Sequence, residues 1–183
     1  MTDKEIITLY RSGQKERAFG ELVESYSERL YWHLRRFTNS HEDADDLLQD
    51  CFVKIWSSLP EFREESRLYT WAYRIATNEA LNHIRKNRWR AALQREDLDA
   101  VMEQRIDDDP SFNGNELQRE LMKAINRLPA KQKLVFNLRY FDEIPYEDIA
   151  EITGTSVGAL KASYHFACEK IKSELKEKFD TDF

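Results

Sequence analysis

The side chains best suited to chemistry in this chain are dispersed, except in one place. His33, His41, His83 and His165 show no metal-ligand spacing, and Cys51 and Cys168 lie far apart with no Cys-x-x-Cys pair. There is no Gly-rich phosphate loop and no nucleophile motif. We therefore expect no catalytic residue, no metal site, no cofactor, no small-molecule substrate and no enzyme activity. The exception is RLYTWAYRIATNEALNHIRKNRWR, from Arg67 to Arg90. Tyr69, Trp71, Tyr73 and Trp89 are set there among Arg67, Arg74, Arg85, Lys86, Arg88 and Arg90, with Glu79 the one acid. Aromatic rings beside cations can stack on unpaired bases and hold their phosphates, and an Asn such as Asn78 or Asn82 can read a base edge.

This basic run sits in an acidic chain. The 183 residues carry 28 Lys and Arg against 34 Asp and Glu, so the net charge is 28 − 34 = −6. Residues 1–95 are nearly neutral, 96–120 strongly acidic and 121–183 neutral. The acidity therefore gathers in the middle.

The elements that must position these groups read as helices. Five Gly and four Pro leave little turn material for a many-stranded fold. Ala18, Phe19, Leu22, Val23, Tyr26, Leu30, Leu34 and Phe37 step by three and four. Ser40 with Asp43 opens the next helix in the manner of a capping box, whose core stripe is Ala44, Leu47, Leu48, Cys51, Phe52, Ile55 and Trp56. That stripe leaves Asp43, Asp46, Gln49 and Asp50 on the opposite face. Acids in a first helical turn suit the helix dipole, but Asp50 lies too far along for that account, and a compact acidic face suits docking onto a basic partner. SSLPEFREES follows as a loop of about ten residues, long enough to suggest function. A third helix covers 67–88. Leu68, Trp71, Ala72, Ile75 and Ala76 step as its core stripe, so Trp71 reads as a packing residue. Tyr69, Tyr73, Thr77, Asn78, Asn82, Arg85 and Lys86 are expected exposed or half exposed.

Residues 96–115 read as an acidic linker, helical at its start. Beyond it, YEDIAEITGTSVGALKASYHFA has the spacing of a helix-turn-helix. Ala150 is small where two helices would cross, Gly154 suits a left-handed turn, and Ser156 suits an N-cap. Val157, Leu160, Tyr164, Cys168, Ile171 and Leu175 form the inner stripe; Ala159, Lys161, Ala162, His165 and Phe166 face outward. That face could enter a major groove, with a plain helical hairpin as the other reading. Lys161 is its only full positive charge, so such a helix binds DNA weakly alone, because phosphate contacts normally dominate affinity.

The fold class expected is all-α: two small helical domains, 1–92 and 116–183, joined by an acidic linker, 93–115. The N-terminus lacks a secretory apolar core and no segment reaches the roughly 20 apolar residues that span a bilayer, so a cytoplasmic location is expected.

DADDLLQDCFVKIW, FREESRLYTWAYRIATN, the basic run after it, and LPAKQKLVFNLRYFDEIPYEDIAEITGTSVGALKASYHFACEKI together resemble the extracytoplasmic-function sigma factors of bacterial RNA polymerase. The resemblance covers about 14–90 and 117–176. It implies an N-terminal domain that binds the clamp helices of the largest polymerase subunit through Asp46, Gln49 and Asp50. The same domain would melt and recognise the minus-ten promoter element through Arg63, Ser66, Tyr69, Tyr73, Asn78, Asn82, Arg85 and Lys86, and capture a flipped base in the 60–67 loop. The C-terminal domain would read the minus-thirty-five element through Ser156, Ala159, Lys161, Ala162 and His165. The acidic linker would pass through the polymerase's nucleic-acid channel. The partners implied are core RNA polymerase, promoter DNA and an anti-sigma factor, which in this family can sit in the membrane. Ser163, Phe166 and Cys168 stand where the family commonly has basic residues. The alternatives are a sigma-like mimic that sequesters an anti-sigma factor without initiating transcription, and an independent dimeric repressor.

Overall fold

A computed structural model describes residues 1–112 and 114–180. Residue 113 of the expected linker and 181–183 of the expected C-terminal domain lie outside the described residues. Every regular element among the described residues is helical, and none is long and apolar enough to cross a membrane. The chain divides into two compact units, Met1–His83 and a second from Ile84 on.

The first unit opens with α1 (Asp3–Arg11), an element absent from the expectations above. Thr2 and Glu5 form its capping box: the Thr2 hydroxyl accepts from the Glu5 N–H, and the Glu5 carboxylate accepts from the Thr2 N–H. Ile6 buries its inner face. Long helix α2 (Lys15–Thr38) ends in Asn39, which takes the left-handed conformation at φ +49°. Next, α3 (His41–Ser58) starts as the spacing predicts, with the Asp43 N–H donating to Ser40 Oγ at 3.2 Å. A short 3₁₀ turn at Leu59–Glu61 leads to α4 (Leu68–Gln94), which runs six residues past the expected end at residue 88. Leu22, Leu30, Leu34, Phe37, Leu47, Ile55 and Leu68 close the core.

In the second unit the acidic stretch is helical, as its start was expected to be, and it is also packed. The acidic stretch forms α5 (Leu98–Asp108), capped by Asp97, and packs on α6 (Glu116–Asn126). The physical reasons are one apolar anchor and two ion pairs, one of them shared with a third acid. Ile106 is fully buried, Lys123 meets Asp107 at 2.7 Å, and Arg127 bridges Glu103 at 2.7 Å and Glu174 at 3.1 Å. Then come α7 (Ala130–Phe136), a π turn at Asn137–Phe141, α8 (Tyr146–Thr153) and α9 (Val157–Phe179). Ala124, Ile125, Leu128, Phe136, Ala167 and Ile171 make the core, with Tyr164, Cys168 and Leu175 packed at its edge. Leu117, at the start of α6, is 47% exposed.

Candidate polymerase and nucleic-acid interfaces

On α3 the acids separate into two groups. Asp43 lies 3.8 Å from the His83 ring and Asp45 lies 3.4 Å from that of His41, so both have neighbours within the unit. Asp46, Gln49 and Asp50 are exposed on the outer face. Val53 continues that face one turn later and is 67% exposed. The result is an acidic surface with an apolar residue at its end, while Cys51 is sealed on the inner side. Burial pushes the Cys51 thiol up to about 12, with the nearby Glu79 carboxylate adding to the shift.

The loop before α4 closes over a cleft of about 630 Å³. Its wall includes Phe62, Arg63, Ser66, Trp71 and Arg74. The Phe62 and Trp71 rings tilt against each other at 5.0 Å. Glu64 holds the loop from outside: it takes φ +59° and pairs with Arg11 of α1. The Arg74 Nε lies buried without a hydrogen-bond partner among the described residues, although buried donors are nearly always paired. A cleft of this size with an aromatic wall and arginine and serine side chains in its lining suits a planar polar ligand.

Of the seven α4 residues expected exposed or half exposed, five are so and two are not. Asn78 and Asn82 are exposed one helical turn apart, and Arg85 and Lys86 are exposed further along the helix, in the second unit. Arg63 is exposed and Ser66 half-buried at the cleft. Tyr69 is half-buried: its N–H donates to Asp3 Oδ2 at 3.3 Å, and the Arg67 guanidinium lies 5.8 Å from its ring centre. Tyr73 and Thr77, expected exposed or half exposed, are instead buried. Tyr73 has no exposed surface and packs edge-on against His33 of α2 at 5.2 Å, with Arg29 5.6 Å from its ring. The Thr77 hydroxyl meets His33 Nε2 at 3.1 Å. The reason is the small residues beside them. Ala72, Ala76 and Ala80 let neighbouring helices approach closely, so the buried stripe of α4 is wider than the large apolar residues alone suggest. A Tyr with no exposed surface cannot stack on a base. Trp71, expected as pure packing, is half-buried and lines the cleft. Phe62, Trp71 and Arg74 were thus missed as cleft residues; the signal available was their clustering around a loop with a single proline.

In the second unit α8 ends at Gly154, φ +69°, whose N–H reaches the Ala150 carbonyl at 2.8 Å. Ser156 caps α9, its Oγ accepting from the Ala159 N–H at 3.3 Å. Ile149, Ile152 and Leu160 are buried where the two helices meet. Ser156, Ala159, Lys161, Ala162 and His165 are all exposed, as is Phe166. A short helix and a long one joined by a glycine turn, with the second presenting a capped, exposed N-terminal half, have the geometry that enters a major groove.

These parts match known proteins in order. The family description Sigma-70 region 2 fits residues 22–90, and Sigma-70, region 4 fits residues 118–171. The chain is 33% identical to the ECF RNA polymerase sigma-E factor of Haemophilus influenzae, covering 96% of both chains. It is 29% identical to the RNA polymerase sigma-H factor of Pseudomonas aeruginosa, over 95% of this chain and 94% of that one. Among solved structures, CnrH in complex with the cytosolic domain of CnrY shares the fold at TM-score 0.73 and 22% identity, over 96% of this chain and 97% of that one. The sigma factor RpoE in complex with the anti-sigma factor NepR, from Bartonella quintana, shares it at TM-score 0.67 and 24% identity, over 86% of this chain and 96% of that one.

Proposed function

The chain belongs to the extracytoplasmic-function sigma factors, which direct bacterial RNA polymerase to specific promoters, and from that premise we propose how its own surfaces divide the work. Asp46, Gln49 and Asp50 on α3 dock on the clamp helices of the polymerase largest subunit. The cleft behind Arg63 and Ser66 takes an unstacked base of the minus-ten element, with Phe62 and Trp71 as its aromatic wall and Arg74 as a donor. Asn78 and Asn82 meet the melted strand along α4, and Arg85 and Lys86 hold its phosphates. The α8–α9 pair reads the minus-thirty-five element as duplex. The protein supplies recognition and leaves catalysis to the polymerase. We place it in the cytoplasm, with an anti-sigma factor as regulator, since both solved relatives named above are bound to such a partner or to a cytosolic fragment.

The observation that carries this reading is the cleft beside α4, walled by Phe62 and Trp71 and lined by Arg63 and Arg74. Unstacking a base costs a few kcal/mol, and only a prepared receptor with stacking and hydrogen-bonding groups offsets that cost. The test is promoter opening by holoenzyme assembled from this protein and core polymerase, followed with a fluorescent base in the minus-ten element. Arg63→Ala, at an exposed site, should slow opening several-fold with unchanged affinity for core polymerase. Unchanged opening would remove the cleft from the mechanism.

A further inference from the structure

The outward face of α9 is built unlike a phosphate-binding surface. From Gly158 to Phe166 it presents Gly158, Ala159, Ala162, His165 and Phe166, all exposed, with Lys161 at one side. Three are the smallest side chains available. At Gly158 an added methyl would meet nothing within the protein, so internal packing does not require its small size. Glycine also weakens a helix. Small residues on an exposed face make sense where something outside must come close. Phe166 then stands 56% exposed at the end of this shallow floor, its ring 5.9 Å from that of His165. One turn further on, exposed Glu169 lies 3.6 Å from Lys172 and offsets part of the positive charge at that end.

We propose that this face reads thymine methyl groups in the major groove of the upstream promoter element, so that the element recognised is rich in A·T pairs with ordered thymines. The proposal rests on the assignment of α8–α9 as the upstream reader and adds what it reads. Each base pair presents a distinct pattern in the major groove, and the thymine C5 methyl is the one apolar feature there, contacted by Ala and Phe side chains. Ala159, Ala162 and Phe166 are spaced three and four apart and so form one stripe along the helix. At 1.5 Å per residue that stripe rises about 10 Å, about three base-pair steps at 3.4 Å each. The capped end of α9, where the Ala159 N–H donates to Ser156 Oγ, enters first, and Phe166 closes the stripe. His165 is the polar member, suited to one base edge beside the methyls. Lys161 supplies one phosphate contact, so selectivity on this face comes from apolar fit rather than charge.

The experiment uses holoenzyme assembled from the full chain and core polymerase, with a duplex promoter whose downstream element is constant and whose upstream block is randomised. Bound DNA is sequenced, and the selected thymines are then replaced by uracil, which removes only the methyl. The expected result is a selected block with ordered thymines, a loss of about fourfold in binding for each contacted methyl, and loss of most of that thymine-over-uracil difference in Phe166→Ala. Phe166→Leu, still apolar, should keep part of it. Urea unfolding of both variants should match the parent, since the ring is more than half exposed. A selected block without thymines, equal binding of thymine and uracil, or no upstream selection by an active holoenzyme would each overturn the proposal while leaving the sigma assignment intact. Failure to initiate even from a premelted template would overturn both.

Discussion

Tyr73 decides between two uses of the aromatic run. If it belongs to the core, truncation should unfold the first unit; if it meets DNA, truncation should spare the fold and stop promoter opening. The ring has no exposed surface and touches His33 at 5.2 Å and Tyr69 at 6.4 Å. Truncating a buried aromatic to Ala costs about 3–5 kcal/mol through lost transfer energy and the cavity left behind. The aromatic pairs account for about 0.5–1.5 kcal/mol each within that sum. Domains of this size hold only about 5–15 kcal/mol of stability, and 1 kcal/mol moves the midpoint by about 4–8 °C. Tyr73→Ala should therefore lower the melting midpoint of the first unit by at least about 12 °C, seen by urea and thermal unfolding with tryptophan fluorescence. Tyr73→Phe keeps the ring and its packing and should cost about 1 kcal/mol or less. Its holoenzyme should open promoters at the parental rate. A stable Tyr73→Ala protein, or a stable Tyr73→Phe protein unable to open promoters, would refute the assignment of this residue to the core.

Asp50→Arg on the outer face of α3 should weaken core-polymerase binding at least about tenfold by placing like charge against a basic surface, measured by fluorescence anisotropy; unchanged affinity removes the role. Lys133 is buried and its Nζ donates to Asn126, and burial, with the Arg88 charge adding, lowers it to about 8. Because the folded state binds fewer protons than the unfolded state above that pH, its contribution should make the second unit more stable as pH rises from about 8 towards its ordinary value of 10.5. The Lys133→Met protein should lack this rise, and equal pH slopes in the two proteins would count against it. Of the two thiols, half-buried Cys168 should react first with a thiol reagent at pH 8, while Cys51, pushed up to about 12, should react only on unfolding; rapid reaction of both in the folded protein would contradict the burial of Cys51.

Much of the architecture was legible because its signals are local. Gly154 and Ser156 lie four and six residues beyond Ala150, and each does in the structure what its residue type does in isolation: one turns left-handed, the other caps. Ser40 likewise starts α3. The helix α1 was overlooked although its Thr-x-x-Glu cap was in plain view at Thr2 and Glu5. The linker was read from composition, and composition could not reveal that Ile106 has an apolar seat or that Arg127 stands between Glu103 and Glu174. Those partners are distant along the chain.

By itself, then, the sequence determined the helices, their caps, the glycine turn of α8–α9, the outward acids of α3 and the family to which the chain belongs. These depend on residue type and on spacings of three and four, which act within one helical turn. Only the tertiary structure decided which aromatics of the Arg67–Arg90 run are available. Tyr69 and Tyr73 are four residues apart on the same helix, yet one is half-buried and the other has no exposed surface. Trp71, two residues from each, lines a cleft with Phe62 that exists only once the loop has folded back. Helical periodicity gives the direction of a side chain, but burial depends on how closely the next helix approaches. Here Ala72, Ala76 and Ala80 allow that approach, and His33, far away in the chain, fills it.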